Sequence, residues 1–304
     1  MNEKEINERI AKLLNNADSD IDSLLKTYES SIIKTYREGL DEIKKDIAYI
    51  FEKYGGKVEY PDMIKYNRLT NLEIQITEII KSLTNESIKT TTSALKDIFT
   101  TNYYKTGLAL ETGLGFELGF GKVNPDLVRA AVLNKLDRIK WPERLKDHAQ
   151  IYVKQVKSDI TQGLLRGKGY GIIAKSVTKR TGMQTWKALR IVRTEGHRVQ
   201  NASRLLGYDT SEAAAKRLGI GTERIWIHTK VGEYRKDHAL MNGKAADKYG
   251  MFTLPSGVKT EGPGLSGIAD EDINCKCTTR MGFRNLDALV QNKDLNSSRL
   301  FENL

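Results

Sequence analysis

Two cysteines in 304 residues, Cys275 and Cys277, are too few and too close together to build a disulfide framework. The cross-linked scaffolds of small secreted proteins are thereby excluded. No apolar run reaches the length of about eighteen residues that a membrane-spanning helix needs, and the opening MNEKEINERI has no hydrophobic signal core. The chain is accordingly read as cytosolic, with no membrane role. It carries no G-x-S-x-G, no H-E-x-x-H and no P-loop, and the acids around its histidines form no two-metal cluster. These absences remove the common hydrolase and nucleotidase signatures. A hydrophobic content of 39% is modest and a charged content of 29% is high, a balance that suits long solvated helices better than a thick α/β core.

What is present in excess is positive charge. The formal net charge is +10 and the isoelectric point is about 9.3. Residues 122–220 hold 21 Lys and Arg against 8 Asp and Glu, a net of +13, which leaves −3 for the rest of the chain. So concentrated a charge favours a polyanionic partner, although a solvated basic surface is the plain alternative.

From Ile21 the residues Leu24, Tyr28, Ile32, Tyr36, Leu40, Ile43, Ile47 and Ile50 recur at steps of three and four, the stripe of a long amphipathic helix that ends at Gly55-Gly56. A second helix is expected to start at Tyr60-Pro61-Asp62, with Leu69, Leu72, Ile76, Ile79, Ile80 and Leu83 on one face. Together they read as an antiparallel helical hairpin. The glycines at 107, 113, 115, 119 and 121 weaken helix and strand alike, and mark a junction. Residues 124–220 are again helical by pattern, with a break at RGKGYG. On the helix TWKALRIVRTEGHRVQNASRLLG, Arg190, Arg193, His197, Asn201 and Arg204 share one face, a stripe expected to lie under the C-terminal module.

Beyond Gly221 the period changes to that of strands, in ERIWIHTK and in INCKCTTRM, separated by a Gly/Pro-punctuated loop. The fold class expected is mainly α with a small α+β C-terminal module and long amphipathic helices in the N-terminal region. Its parts are a helical N-terminal region (1–105), a Gly-rich junction (106–123), a basic helical region (124–220), the α+β module (221–285) and a tail (286–304).

If residues 273–281 form a strand, Cys275 and Cys277 emerge on one face, near enough for one metal to see both thiolates. His238, with His228 or His197, would supply nitrogen ligands, and structural zinc is the cofactor such a set suits. The plain alternative is two small buried hydrophobes packed against Trp226 and Met251. An enzymatic reading, a metal-dependent hydrolase or effector centred on Glu195, His197, His238, Cys275 and Cys277, has candidate groups but no further motif to support it.

The order RIVRTEGHRVQNA, RIWIHT, EYRKDHALMNG, GMFTLPSG, PGLSG and INCKC, over residues 140–285, resembles the phage Mu F-like minor head proteins, also described as phage head morphogenesis proteins. The resemblance carries a shared motif onto Arg193, Thr194, Glu195, Arg235, His238, Gly243, Asn274, Cys275 and Cys277. Family members often have an Asp and an Arg before the Arg235 to His238 turn; here the nearest acid is Glu233.

The resemblance implies a minor capsid component of a virion, inside the head near the portal and in the host cytoplasm during assembly. Expected partners are the portal protein, capsid or scaffold proteins, and double-stranded DNA bound without sequence preference. Such a protein would act in head morphogenesis and in DNA packaging or ejection, and not as an enzyme. Lys154, Lys157, Lys168, Lys175, Lys179 and Arg180 are the expected phosphate contacts. Two rivals remain open: an effector enzyme, since such modules can occur beside toxin domains, and a DNA-binding protein unrelated to virions.

Overall fold

A computed structural model of the chain describes residues 2–229 and 234–286. Glu233 and the tail from residue 287 onward lie outside the described residues. The protein is 70% helical, with a few short strands confined to the C-terminal region.

Helix α1 spans Glu3–Lys53. It begins eighteen residues before the stripe read from Ile21, because Ile6, Ile10, Leu14 and Ala17 continue the same period and are buried. Its start is closed reciprocally: Asn2 Oδ1 accepts from the Glu5 N–H, and Glu5 Oε2 accepts from the Asn2 N–H, each at 2.9 Å. At the other end Gly55 and Gly56 take positive φ, and the Gly56 N–H returns to the Phe51 carbonyl at 2.8 Å. A short helix α2 (Tyr60–Ile64) and a 3₁₀ turn lead into α3, Arg68–Leu114.

Helix α3 continues through Gly107 and Gly113, where a flexible junction was expected. Both glycines are packing notches. A Cβ at Gly113 would stand 2.1 Å from Ile10 Cγ1, and one at Gly107 would stand 2.7 Å from the Phe120 ring. Close approach of neighbouring side chains, and not backbone freedom, explains them.

Helix α4 (Pro125–Val132) is capped by Asn124, α5 spans Trp141–Leu165, and α6 spans Tyr170–Arg217 after a turn at Gly167. Strand β1 (Gly221–Ile227) is followed by α7 (Lys236–Leu240), the two-residue strands β2 (Phe252–Thr253) and β3 (Lys259–Thr260), α8 (Ala269–Asp272) and β4 (Thr278–Arg284). Strands β1 and β4 pair antiparallel with Trp226 opposite Thr279, while β2 and β3 form a separate hairpin.

The chain forms two compact units, whose boundaries fall inside α1, α3 and α6 and between α4 and α5. One contains residues 26–94 and 139–193. In it Ile32, Tyr36, Ile43 and Ile47 of α1 and Leu72, Ile76, Ile80 and Leu83 of α3 are buried. Gly39 brings α1 against Leu83, as a helical hairpin requires. The other unit takes the residues up to 25, 95–138 and those from 194 onward. Its larger core joins Ile10 and Leu14 to Leu110, Leu205, Tyr208 and Phe283; a smaller one gathers Trp226, Met241, Phe252, Leu254 and both cysteines.

Candidate functional site

The two cysteines precede β4 and do not belong to it. The strand expected over 273–281 begins only at Thr278, because the chain leaves α8 at Asp272 and turns at Asn274 first. Asp272, at the end of α8, accepts from the N–H and hydroxyl of Ser266 and from the Gly267 N–H, which folds the preceding loop onto it. Asn274 then turns the chain through the left-handed region at φ 58°, a conformation that asparagine tolerates better than most residues. Three contacts hold this turn: Arg235 donates to the Ile273 carbonyl at 2.7 Å, Thr194 Oγ1 accepts from the Asn274 N–H, and Asn201 donates to the Cys277 carbonyl at 3.1 Å.

Both thiols are therefore presented to one imidazole. His238 Nδ1 lies 3.5 Å from Cys275 Sγ and 3.8 Å from Cys277 Sγ, and His228 Nδ1 lies 3.5 Å from Cys277 Sγ. The far nitrogen of His238 is 2.9 Å from Glu271 Oε2, and Ser256 donates to the other oxygen of that carboxylate at 2.7 Å. His238 sits on α7, His228 just after β1, and Gly243, at φ 79°, donates its N–H to the Trp226 carbonyl and so closes the loop between them.

The electrostatics of the pair are asymmetric. The hydrogen bond from Cys275, followed by the contacts with the two histidines, outweighs burial and lowers the Cys277 thiol to about 4. The Cys275 thiol moves the other way, raised by its contact with Cys277 and by burial. Burial lowers the pKa of His238, but its contacts with Cys277 and Glu271 prevail and raise it. Among the described residues, His238, Cys275 and Cys277 are the group whose ligand atoms all lie within 4.8 Å of one another.

His197 is not in that set. It stands on α6 beside Gln200, where burial pulls its pKa down against the opposing charge of Asp22. Glu195 is buried in an ion pair with Arg198, 2.7 Å away, which leaves it poorly placed as a free acid or base. Arg198 also donates to the carbonyls of Gly264 and Lys135. The arginine stripe divides: Asn201 and Arg204 contact the Cys277 carbonyl and Thr278, Arg193 makes a bidentate pair with Glu29, and Arg190 lies over the Trp186 ring. The methionine in the core of the thiols is Met241 and not Met251; of the residues at β2 it is Phe252 that joins that core.

Of the expected phosphate contacts, Lys154, Lys175 and Lys179 are exposed and Lys168 is half-buried. Lys157 is 4.0 Å from Glu73. Arg180 is engaged by Asp159 at 2.9 and 3.2 Å, a contact that depresses the Asp159 pKa. Sequence reading missed Arg198, Glu271 and Asp272. The run Asp270-Glu271-Asp272 immediately before INCKC was the available signal for the last two.

The sequence profile of the family described as Phage Mu protein F like protein matches residues 154–280, the stretch that contains α6 and the cysteine turn. The chain is 31% identical over 266 residues to the minor head protein GP7 of Bacillus phage SPP1, covering 86% of this chain and 83% of that one. It is also 28% identical over 251 residues to an Enterococcus faecalis protein named NAD(+)--arginine ADP-ribosyltransferase EFV, covering 83% of this chain but 50% of that protein. No solved structure matches. Similarity over 83% of a minor head protein at 31% identity, together with the family profile matched over residues 154–280, places this chain in the phage Mu F-like minor head protein family.

Proposed function

We propose that the protein is a minor head component that acts at the portal vertex, inside the head, during head morphogenesis and DNA packaging or ejection. The observation that carries this reading is the alignment of 86% of the chain with a protein named as a minor head protein. The long helices of residues 1–105 offer the surface for portal, capsid or scaffold proteins, since Ile33, Tyr49 and Ile74 remain exposed on them. The lysines of α5 and α6 face packaged DNA, whose phosphates they can contact without reading sequence.

A second reading comes from the Enterococcus relative, whose name assigns it transfer of ADP-ribose to arginine. This chain spans half of that protein's length, and its buried acids Glu195 and Asp272 both lie beside Arg198, at 2.7 and 3.8 Å. That arrangement favours the binding role.

Mass spectrometry of purified heads, combined with capture on immobilised portal protein, tests the proposal. The protein is expected in heads and on the portal, and closed shells are expected to form without it. Its absence from both would overturn the reading. Incubation with NAD and an arginine-bearing acceptor gives the other arm: release of nicotinamide would promote the transferase.

A further inference from the structure

We infer that Cys275, Cys277 and His238 hold a zinc ion that clamps the C-terminal module, with His228, beside Cys277, as the nearest further nitrogen. The inference stands apart from the portal reading and holds whichever partner the protein meets.

Geometry is the first support. Sulfur at about 2.3 Å and nitrogen at about 2.1 Å from a tetrahedral zinc stand roughly 3.6 Å from each other. The three sulfur-to-nitrogen distances here are 3.5, 3.8 and 3.5 Å. Each matches an edge of that tetrahedron; the ligand atoms of His238, Cys275 and Cys277 all lie within 4.8 Å of one another, and His228 meets the set through Cys277.

The surrounding contacts orient the ligands. A metal-bound histidine usually gives its second nitrogen to a carboxylate, which fixes the tautomer and the ring plane. Glu271 does this for the Nε2 of His238, and Ser256 in turn holds Glu271. The backbone N–H of His228 donates to Asn242 Oδ1 at 3.0 Å, and the cysteine turn is pinned by Arg235, Thr194 and Asn201. A cavity of about 340 Å³, lined by both cysteines, both histidines, Tyr234 and Arg235, gives a metal its way in.

The same groups fit a cysteine nucleophile less well. A thiol, imidazole and carboxylate in line need a single accessible sulfur, whereas two sulfurs here approach one Nδ1, a second imidazole faces Cys277, and both cysteines are only 4% exposed. The smaller core also stands to gain from a clamp. It is the lesser of the two cores of its unit, with six buried residues including the two cysteines, and a bound metal would add its binding free energy to the folding of that cluster. Zinc would join the end of β1, helix α7 and the turn between α8 and β4.

The test uses the full chain, purified without a histidine tag. Elemental analysis is expected to find stoichiometric zinc, and a strong chelator to lower the melting temperature. Cobalt(II) added to the stripped protein is expected to give the visible spectrum of a tetrahedral thiolate centre, a readout that requires no variant to fold. Cys275→Ser, Cys277→Ser and His238→Gln should each abolish stoichiometric zinc, His228→Gln should weaken it, and Glu271→Gln should lower affinity by about ten- to a hundredfold. His197→Gln should retain it in full. Stripped protein that gives no cobalt–thiolate spectrum and melts unchanged after chelation would overturn the site, as would selective alkylation of one cysteine that leaves metal content intact.

Discussion

Arg204, whose side chain has no exposed surface, donates to Asp18 and thereby ties the last third of α6 to the first third of α1 across 186 residues of sequence. Asp18 receives two further donors, Arg280 at 3.0 Å and Gln200 at 2.8 Å. Burial alone would raise the pKa of Asp18, but Arg204 and Arg280 outweigh burial and hold it below the usual carboxylate range. A depressed carboxylate contributes stability that is complete above its unfolded pKa of about 3.9 and is lost as pH falls through the folded value.

Asp18→Asn is therefore expected to lower the unfolding free energy at neutral pH by about 3 kcal/mol, because it leaves a buried guanidinium without its charge partner. The difference should begin to narrow as pH falls below about 4, the unfolded value, and close once pH passes the lower folded value, where the wild-type carboxylate also loses its charge. Denaturant titrations across that range provide the check. A gap that stays constant with pH would mean that the network acts through packing alone.

The second expectation compares two helical glycines. Gly182 lies in α6, and a methyl group added there would meet nothing within 4 Å, so Gly182→Ala should stabilise by up to about 1 kcal/mol through helix propensity. Gly113→Ala gains the same propensity but pushes against Ile10, and overpacking of that kind costs about 1 to 3 kcal/mol. Opposite shifts in melting temperature are expected. Equal shifts would show that the approach of α1 to Gly113 relaxes freely.

How much of this was legible beforehand depended on period. The three-and-four spacing of Ile32, Tyr36, Ile43 and Ile47 announced α1, and the alternation around Trp226 announced β1, because each pattern depends on one face being buried. The notch glycines misled, since composition cannot tell a glycine that frees the backbone from one that admits Ile10 or Phe120. The cysteine turn was misplaced for a similar reason. Alternation in INCKCTTRM satisfied the strand pattern, while the left-handed Asn274 after α8 and the Asp272 contacts to the loop before it leave no periodic trace. Of the proposed ligands, His238 and the cysteines are brought together, and His197 is drawn away by its place on α6.

Arg198 supports a third expectation. It is 3% exposed, lies 2.7 Å from Glu195 and 3.8 Å from Asp272, and donates to the Gly264 carbonyl at 3.0 Å. Arg198→Met should cost about 3 to 5 kcal/mol, since buried carboxylates lose their counter-charge. Adding Glu195→Met should recover part of that loss, because the pair is then replaced and not merely broken. Additive losses in this double-mutant cycle would remove the coupling between the two residues.

The last expectation concerns the basic face, and rests on the proposal that it meets DNA. Lys154, Lys175 and Lys179 are exposed, and Lys168 is half-buried, whereas Arg180 already has Asp159 as a partner. Each lysine that neutralises a phosphate steepens the dependence of log affinity on log salt by about 0.9. Replacing the four lysines by alanine should flatten that slope by up to about 3.6, while Arg180→Ala, whose charge is shared with a carboxylate, should change it less than one full contact. Fluorescence anisotropy with the full chain, on two duplexes of unrelated sequence across a salt series, separates the cases. Both duplexes should respond alike, since phosphate contacts carry no base information. If the quadruple variant keeps the wild-type slope, the charge of α5 and α6 faces something other than DNA, and an acidic protein surface in the head becomes the partner to seek.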